Sequence, residues 1–114
     1  MNILVKILLS SIAVIIASYL LPGVYVDEFI TAIIIAVLLS LLNVTVKPLL
    51  IVLTIPLTVF TLGLFLLVIN AIIILIASSV VPGFVVDNFW WALLFSLVLS
   101  LINALLADLS KNQK

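Results

Sequence analysis

The chain predicts an all-α membrane protein, four transmembrane helices laid out as two parallel-repeat helical hairpins, and three observations carry that prediction. Of its 114 residues 68% are hydrophobic and 7% charged, with a mean hydropathy of +1.72. That composition leaves too few polar groups to cover a soluble globule. Uninterrupted apolar runs occupy 7–21, 29–46, 64–81 and 89–107, and at about 1.5 Å per residue 18 to 20 helical residues cross a hydrocarbon core of roughly 30 Å. The stretch IASYLLPGVYVDEF at 16–29 returns as IASSVVPGFVVDNF at 76–89, a shift of 60 residues, and the echo continues from SLLN at 40–43 to SLIN at 100–103. One unit of apolar run, Pro-Gly-acid turn and apolar run therefore occurs twice.

The units follow in order along a single transmembrane domain: repeat one at 7–46, a connector at 47–63, repeat two at 64–107 and a short tail at 108–114. Lipid offers no partner to a bare backbone, and the runs lack the alternation of a barrel strand, so each is expected to be helical. The first run is short, but Lys6 can snorkel to the headgroups and lengthen it. Its lysine-then-apolar start resembles a secretory signal. The sequence at 19–22 is a poor cleavage site, and the run has a counterpart in repeat two, so it is read as a retained span.

In each repeat the first run ends at a turn, Pro22-Gly23 and Pro82-Gly83. Proline cannot continue the hydrogen-bond ladder, and glycine accepts the left-handed conformation favoured past a helix C-terminus. Asp27 and Asp87 then precede the second run, where a carboxylate is expected to cap free amides and meet the positive end of the helix dipole. A sharper reading makes them an acidic ring at a pore mouth in an oligomer. Trp90 and Trp91 follow at the depth of an outer aromatic belt.

Within the second run of each repeat, Ala36, Ser40, Asn43 and Lys47 share a helix face, and Ser96, Ser100, Asn103 and Ala107 reproduce the spacing. These are small-x-x-x-small packing surfaces with an amide below each. Ser10, Ala13 and Ala17 in span one, and Asn70 and Ala77 in span three, can oppose them. Helix packing is the favoured role. The alternative, a polar path lined by Asn43, Asn70 and Asn103, is disfavoured because no ionisable residue lies mid-span.

The connector does not repeat. Its threonines, Thr54, Thr58 and Thr61, form a weakly polar stripe, Pro48 opens it, Gly63 closes it, and Pro56 is expected to bend whatever helix forms there. A segment of this length is interfacial or re-entrant. An interfacial connector on the cytoplasmic surface, threonines toward the headgroups, is preferred over an inward loop, because the stripe is too weak to pull the segment into a pore.

Charge sets orientation. Lys6, Lys47, Lys111 and Lys114 can all share one face, with Asp27, Glu28 and Asp87 on the other. The positive-inside rule then places both termini and the connector in the cytoplasm. Asp108 is the one acid on the inner side and counts for little in that rule. Net charge is zero, which gives no basic footprint for nucleic acid, and the absence of cysteine and histidine removes the usual metal ligands and nucleophile-base pairs. The expected partners are the lipid bilayer, further copies in a homo-oligomer, and other membrane proteins; no cofactor or metal is expected.

Asn43-x-x-x-Lys47-Pro48, then Pro56, Thr61-Leu62-Gly63-x-Phe65, Asn70-Ala71 and Pro82-Gly83-Phe84 resemble the signature of the four-span phage holin family, superfamily four. The resemblance covers nearly the whole chain. It implies a small bacterial inner-membrane protein, multi-pass, with both termini inside, and its name implies hole formation that lets lysis enzymes reach the cell wall. Similar proteins also occur as chromosomal products without a lysis role. The resemblance carries over no catalytic or binding residue. Three functions compete: a resident protein acting by packing and association without catalysis, a lesion former, and a small oligomeric channel or transporter.

Overall fold

The computed structural model describes residues 2–61 and 63–111. Lys114 and the side chain of Lys111, two of the four lysines used for orientation, lie outside the described positions. The elements are α1 (Ile3–Leu20), β1 (Val24–Val26), α2 (Phe29–Leu53), α3 (Ile55–Phe60), α4 (Phe65–Val80), β2 (Phe84–Val86) and α5 (Phe89–Lys111).

α1, α2 and α5 are long and apolar enough to cross a membrane, and α4 is a shorter apolar helix. Its 16 residues span only about 24 Å. These four helices pack in a ring, α1 on α2, α2 on α4, α4 on α5 and α5 on α1, with α1 opposite α4 and α2 opposite α5.

The all-α expectation needs one correction. β1 and β2 pair antiparallel, with Val24 opposite Val86, Tyr25 opposite Val85 and Val26 opposite Phe84. Tyr25 thus faces its own counterpart 60 residues on, and its neighbours pair crosswise, the register that a local twofold through this pair produces. Two reciprocal bonds extend the ribbon, Asp27 N–H to Gly83 O at 3.1 Å and Asp87 N–H to Gly23 O at 2.9 Å. Both Pro-Gly turns therefore lie side by side at one end of the bundle. The β-branched residues of these strands favour extended backbone; alternation over three residues was too short to read as a strand.

The turns themselves are similar but not identical. Val24 N–H bonds Leu21 O and Phe84 N–H bonds Val81 O, with proline and glycine at the central positions as such turns prefer. Only Gly83 has a positive φ, +89°; Gly23 does not, contrary to the expectation for both. Gly23 is needed for space, because a Cβ there would sit inside the Trp91 indole. Trp91 is thus packed on the turn and not simply an anchor, whereas Trp90 is exposed.

The capping expectation is also corrected. Glu28 and Asn88 occupy the positions before α2 and α5, and the cap bond is made by Asn88, whose Oδ1 accepts from Trp91 N–H at 3.1 Å. Asp27 instead accepts the Thr31 hydroxyl, and its carboxylate fills the space beside Gly83. Thr31 and Trp91 are repeat counterparts: each covers the glycine of the opposite turn region, one through a carboxylate and the other directly.

At the other end the second helix does not stop near residue 46 but runs through Lys47 and Pro48 to Leu53. Proline removes one backbone bond from the ladder, the one that would reach Val44 O, a loss that membrane helices tolerate. The break comes at Thr54, two residues before Pro56, which then sits in the first turn of α3 where a missing N–H costs little. Pro56 starts a helix here and does not bend one. Thr61 Oγ1 accepts from Phe65 N–H at the start of α4, and Gly63, φ +88°, donates to Thr58 O to close α3.

Candidate functional site

Packing is uneven along the bundle. Near the ribbon the helices meet through small side chains, Ala13, Ala17, Ala32, Ala77 and Ala92, all fully buried, and Phe95 fills the space under Phe84 with ring centroids 5.7 Å apart. In lipid, where burial of apolar surface gives no drive to helix association, such close backbone approach supplies the van der Waals contact that holds helices together. Further along, buried hydroxyls are satisfied locally: Ser11 donates to Ile7 O, and Ser96, which lines the first cleft described below, to Leu93 O.

Toward the lysine end the helices separate and polar clefts open between them. The first, about 100 Å³, is lined by Asn43, Lys47, Asn70, Ser100 and Asn103 above Leu39 and Leu99. A second, about 70 Å³, is lined by Ser10, Ser40, Asn43 and Asn103 above the same leucines. Shifting either lining by 60 residues reproduces much of the other: Asn70 becomes Ser10, Ser100 becomes Ser40, and Asn43 exchanges with Asn103. The two are counterparts in the two repeats. A third opening, about 220 Å³, continues the second toward the helix ends and is lined by Lys6, Leu9, Ser10, Asn103 and Ala107.

The structure thus gathers Ser40, Asn43, Asn70, Ser100 and Asn103 at one end of the bundle, as their shared faces predict. They line open clefts there and do not lie in tight contacts. Ser40 and Ser100 are exposed, so they lie at the cleft mouths, outside the packed region. Each cleft has room for several waters and enough polar partners to hold them. Lys6 was not grouped with these residues on sequence grounds. The signal was present, because Lys6, Ser10, Ala13 and Ala17 follow the same four, three, four spacing used to group the face of α2. Pro22, Gly23, Asp27, Pro82, Gly83 and Asp87 form the opposite, ribbon end, and Pro48, Pro56, Thr61 and Gly63 belong to the segment around α3.

The threonine stripe lies partly against the rest of the chain. Thr54 and Thr58 are half-buried, with Thr54 Oγ1 donating to Leu50 O at 2.7 Å, while Leu57, Val59 and Phe60 are exposed. The hydroxyls satisfy carbonyls where the ladder breaks, so the apolar side of α3 turns outward.

A bundle with apolar helices, a Pro-Gly turn in each half and a Thr-Leu-Gly-x-Phe connector now has its comparison. Residues 1–105 match the family described as mycobacterial 4 TMS phage holin, superfamily IV. The chain belongs to this phage holin family. It is 39% identical over 103 residues to the uncharacterized membrane protein YvlD of Bacillus subtilis (strain 168), a match covering 90% of this chain and 87% of that protein. It is 38% identical over 121 residues to the uncharacterized protein SCO3922 of Streptomyces coelicolor (strain ATCC BAA-471 / A3(2) / M145), covering 94% and 97%. No solved structure matches the chain significantly. Family membership makes this a membrane protein with several apolar helices; it assigns no role to the clefts.

Proposed function

We propose that this holin-family chain is a resident of the bacterial cytoplasmic membrane that acts by helix packing and by association with itself or with a membrane partner, without catalysis. It crosses the bilayer four times as two hairpins threaded in the same sense, with both termini on the cytoplasmic side. An even number of spans per repeat makes the repeats parallel. Support for the orientation comes from Lys6 and Lys47 lining the openings at the end away from the ribbon; exposed Tyr19, Tyr25 and Trp90 suit the ribbon end to a membrane interface. α3 lies along the inner interface with Leu57, Val59 and Phe60 against acyl chains, and α4 reaches across with slight local thinning of the bilayer.

The observation that carries the reading is the close-packed ribbon half, where Ala32, Ile35, Ala77, Ala92 and Phe95 are fully buried among the described residues. Association surfaces remain available: Ile30, Ile34, Val37 and Leu41 form an exposed seam on α2, and Trp90, Leu94, Leu97 and Leu101 repeat it on α5. The test is dye release from vesicles holding the purified protein, together with membrane potential in cells induced to make it. Tight vesicles and steady potential are expected. Family membership favours a second reading, lesion formation through lateral accumulation, and an abrupt collapse of potential at a fixed time after induction would replace the first reading with it.

A further inference from the structure

We infer that the two clefts at the lysine end each bind one phosphate group, presented by a phospholipid of the adjoining leaflet or by free phosphate. The inference rests on the membrane reading above only for which leaflet supplies the lipid.

Charge is the first support. The first cleft has Lys47, Asn43 and Asn70; its 70 Å³ counterpart has Asn103 and Ser10 but no lysine in its lining. The 220 Å³ opening that shares Asn103 and Ser10 with that counterpart has Ala107 where the first cleft has Lys47, and gains Lys6 from α1, whereas the residue matching Lys6 on α4 is Leu66. The two halves thus differ in which helix supplies the lysine, with Lys47 in the first cleft and Lys6 in the opening beside the second. Neither cleft has an acidic lining residue. A site with one fixed positive charge and no carboxylate repels a cation and attracts an anion.

Hydrogen bonding is the second support. Ser11, Ser18, Ser78 and Ser79 each donate to a carbonyl of their own helix. Among the described residues, the side chains of Ser10, Asn43, Asn70, Ser100 and Asn103 make no hydrogen bond within the chain, and all five line the clefts. Ser40 and Ser96, which also line the clefts, donate to Ala36 O and Leu93 O, so these five side chains are the ones whose donors are open to something brought from outside. Amide N–H, hydroxyl and ammonium groups together match phosphate oxygens, which accept charge-assisted hydrogen bonds. A neutral lipid hydroxyl would leave the ammonium without its counter-charge.

The test is native mass spectrometry of the full chain in detergent, titrated with phosphatidylglycerol and, separately, with diacylglycerol of the same acyl chains. Up to two phosphatidylglycerols are expected per chain, with diacylglycerol retained weakly. Lys47→Gln or Lys6→Gln should each reduce this to one, the affected cleft binding about tenfold weaker, the size set by losing one charge-assisted hydrogen bond. Lys47→Arg should keep both, which separates lost charge from lost folding. A parallel titration with inorganic phosphate by calorimetry distinguishes the sources: lysine-dependent heat with no lysine-dependent lipid retention assigns free phosphate as the ligand. Equal retention by wild type and the double glutamine variant, with no phosphate heat, would overturn the inference, as would equal retention of diacylglycerol. Leaky vesicles with intact lysine-dependent binding would remove the functional reading and leave the clefts standing.

Discussion

The two ends of the bundle are built on opposite terms. At the ribbon end, strands, turns and alanine-lined helix contacts lock the repeats together, and two polar side chains bond within the chain, Asp27 with Thr31 and Asn88 with Trp91 N–H. At the lysine end the helices part, and Asn43, Asn70 and Asn103 stand open with Ser10 and Ser100. One sequence unit, used twice, produces both ends, because small residues and a Pro-Gly turn draw two copies together at one end while bulkier polar side chains hold them apart at the other. Rigidity resides at the ribbon, and the capacity to bind resides at the clefts.

The sharpest contrast is one of access. Because the chain has no native cysteine, single cysteines report cleanly. Asn43→Cys and Asn103→Cys are expected to label with an impermeant thiol reagent applied from the cytoplasmic side, whereas Ala32→Cys and Ala92→Cys stay unreacted; labelling of all four alike would erase the difference between the ends. Next in size is packing. Phe95→Ala, at a fully buried site, should cost about 3–5 kcal/mol, read as lost thermal stability in detergent, while Leu101→Ala, 63% exposed, should change little.

Two glycines with nearly the same φ refine the comparison. Gly83 lies against the Asp27 carboxylate, and Gly63 has nothing within 4 Å of where a Cβ would go. Gly63→Ala should therefore cost only the backbone penalty, about 1 kcal/mol, and Gly83→Ala more, about 3 kcal/mol once the displaced carboxylate is added to the strain. Equal losses would mean that the ribbon end is no tighter than the connector. Smaller still is Asp27→Ala, expected to cost about 1–2 kcal/mol by leaving the buried Thr31 hydroxyl without its acceptor. Asp87→Ala should cost less, because the residue matching Thr31 there is Trp91.

Much of this was legible along the chain. Apolar runs, the 60-residue echo and the shared faces of Ser40, Asn43, Ser100 and Asn103 are local or periodic features, and helix periodicity converts them directly into a surface. The connector was harder. Pro48 reads as a stop and stands inside a helix, because a membrane helix tolerates the loss of one ladder bond that the linear pattern reads as an end. The capping role slipped from Asp27 to other atoms for a different reason: its carboxylate is drawn to a hydroxyl and a glycine that only the folded chain brings near.

By itself the sequence determined the bilayer as solvent, the helices, the duplication and the family, since each follows from composition and spacing over one or two turns. Only the tertiary structure decided that the turns pair as a ribbon, that Trp91 covers Gly23, and that Lys6 of one helix lines an opening with Asn103 and Ala107 of another. Those contacts join residues distant in the chain, and the free energy that selects them depends on close approach of surfaces that exist only after the helices have packed.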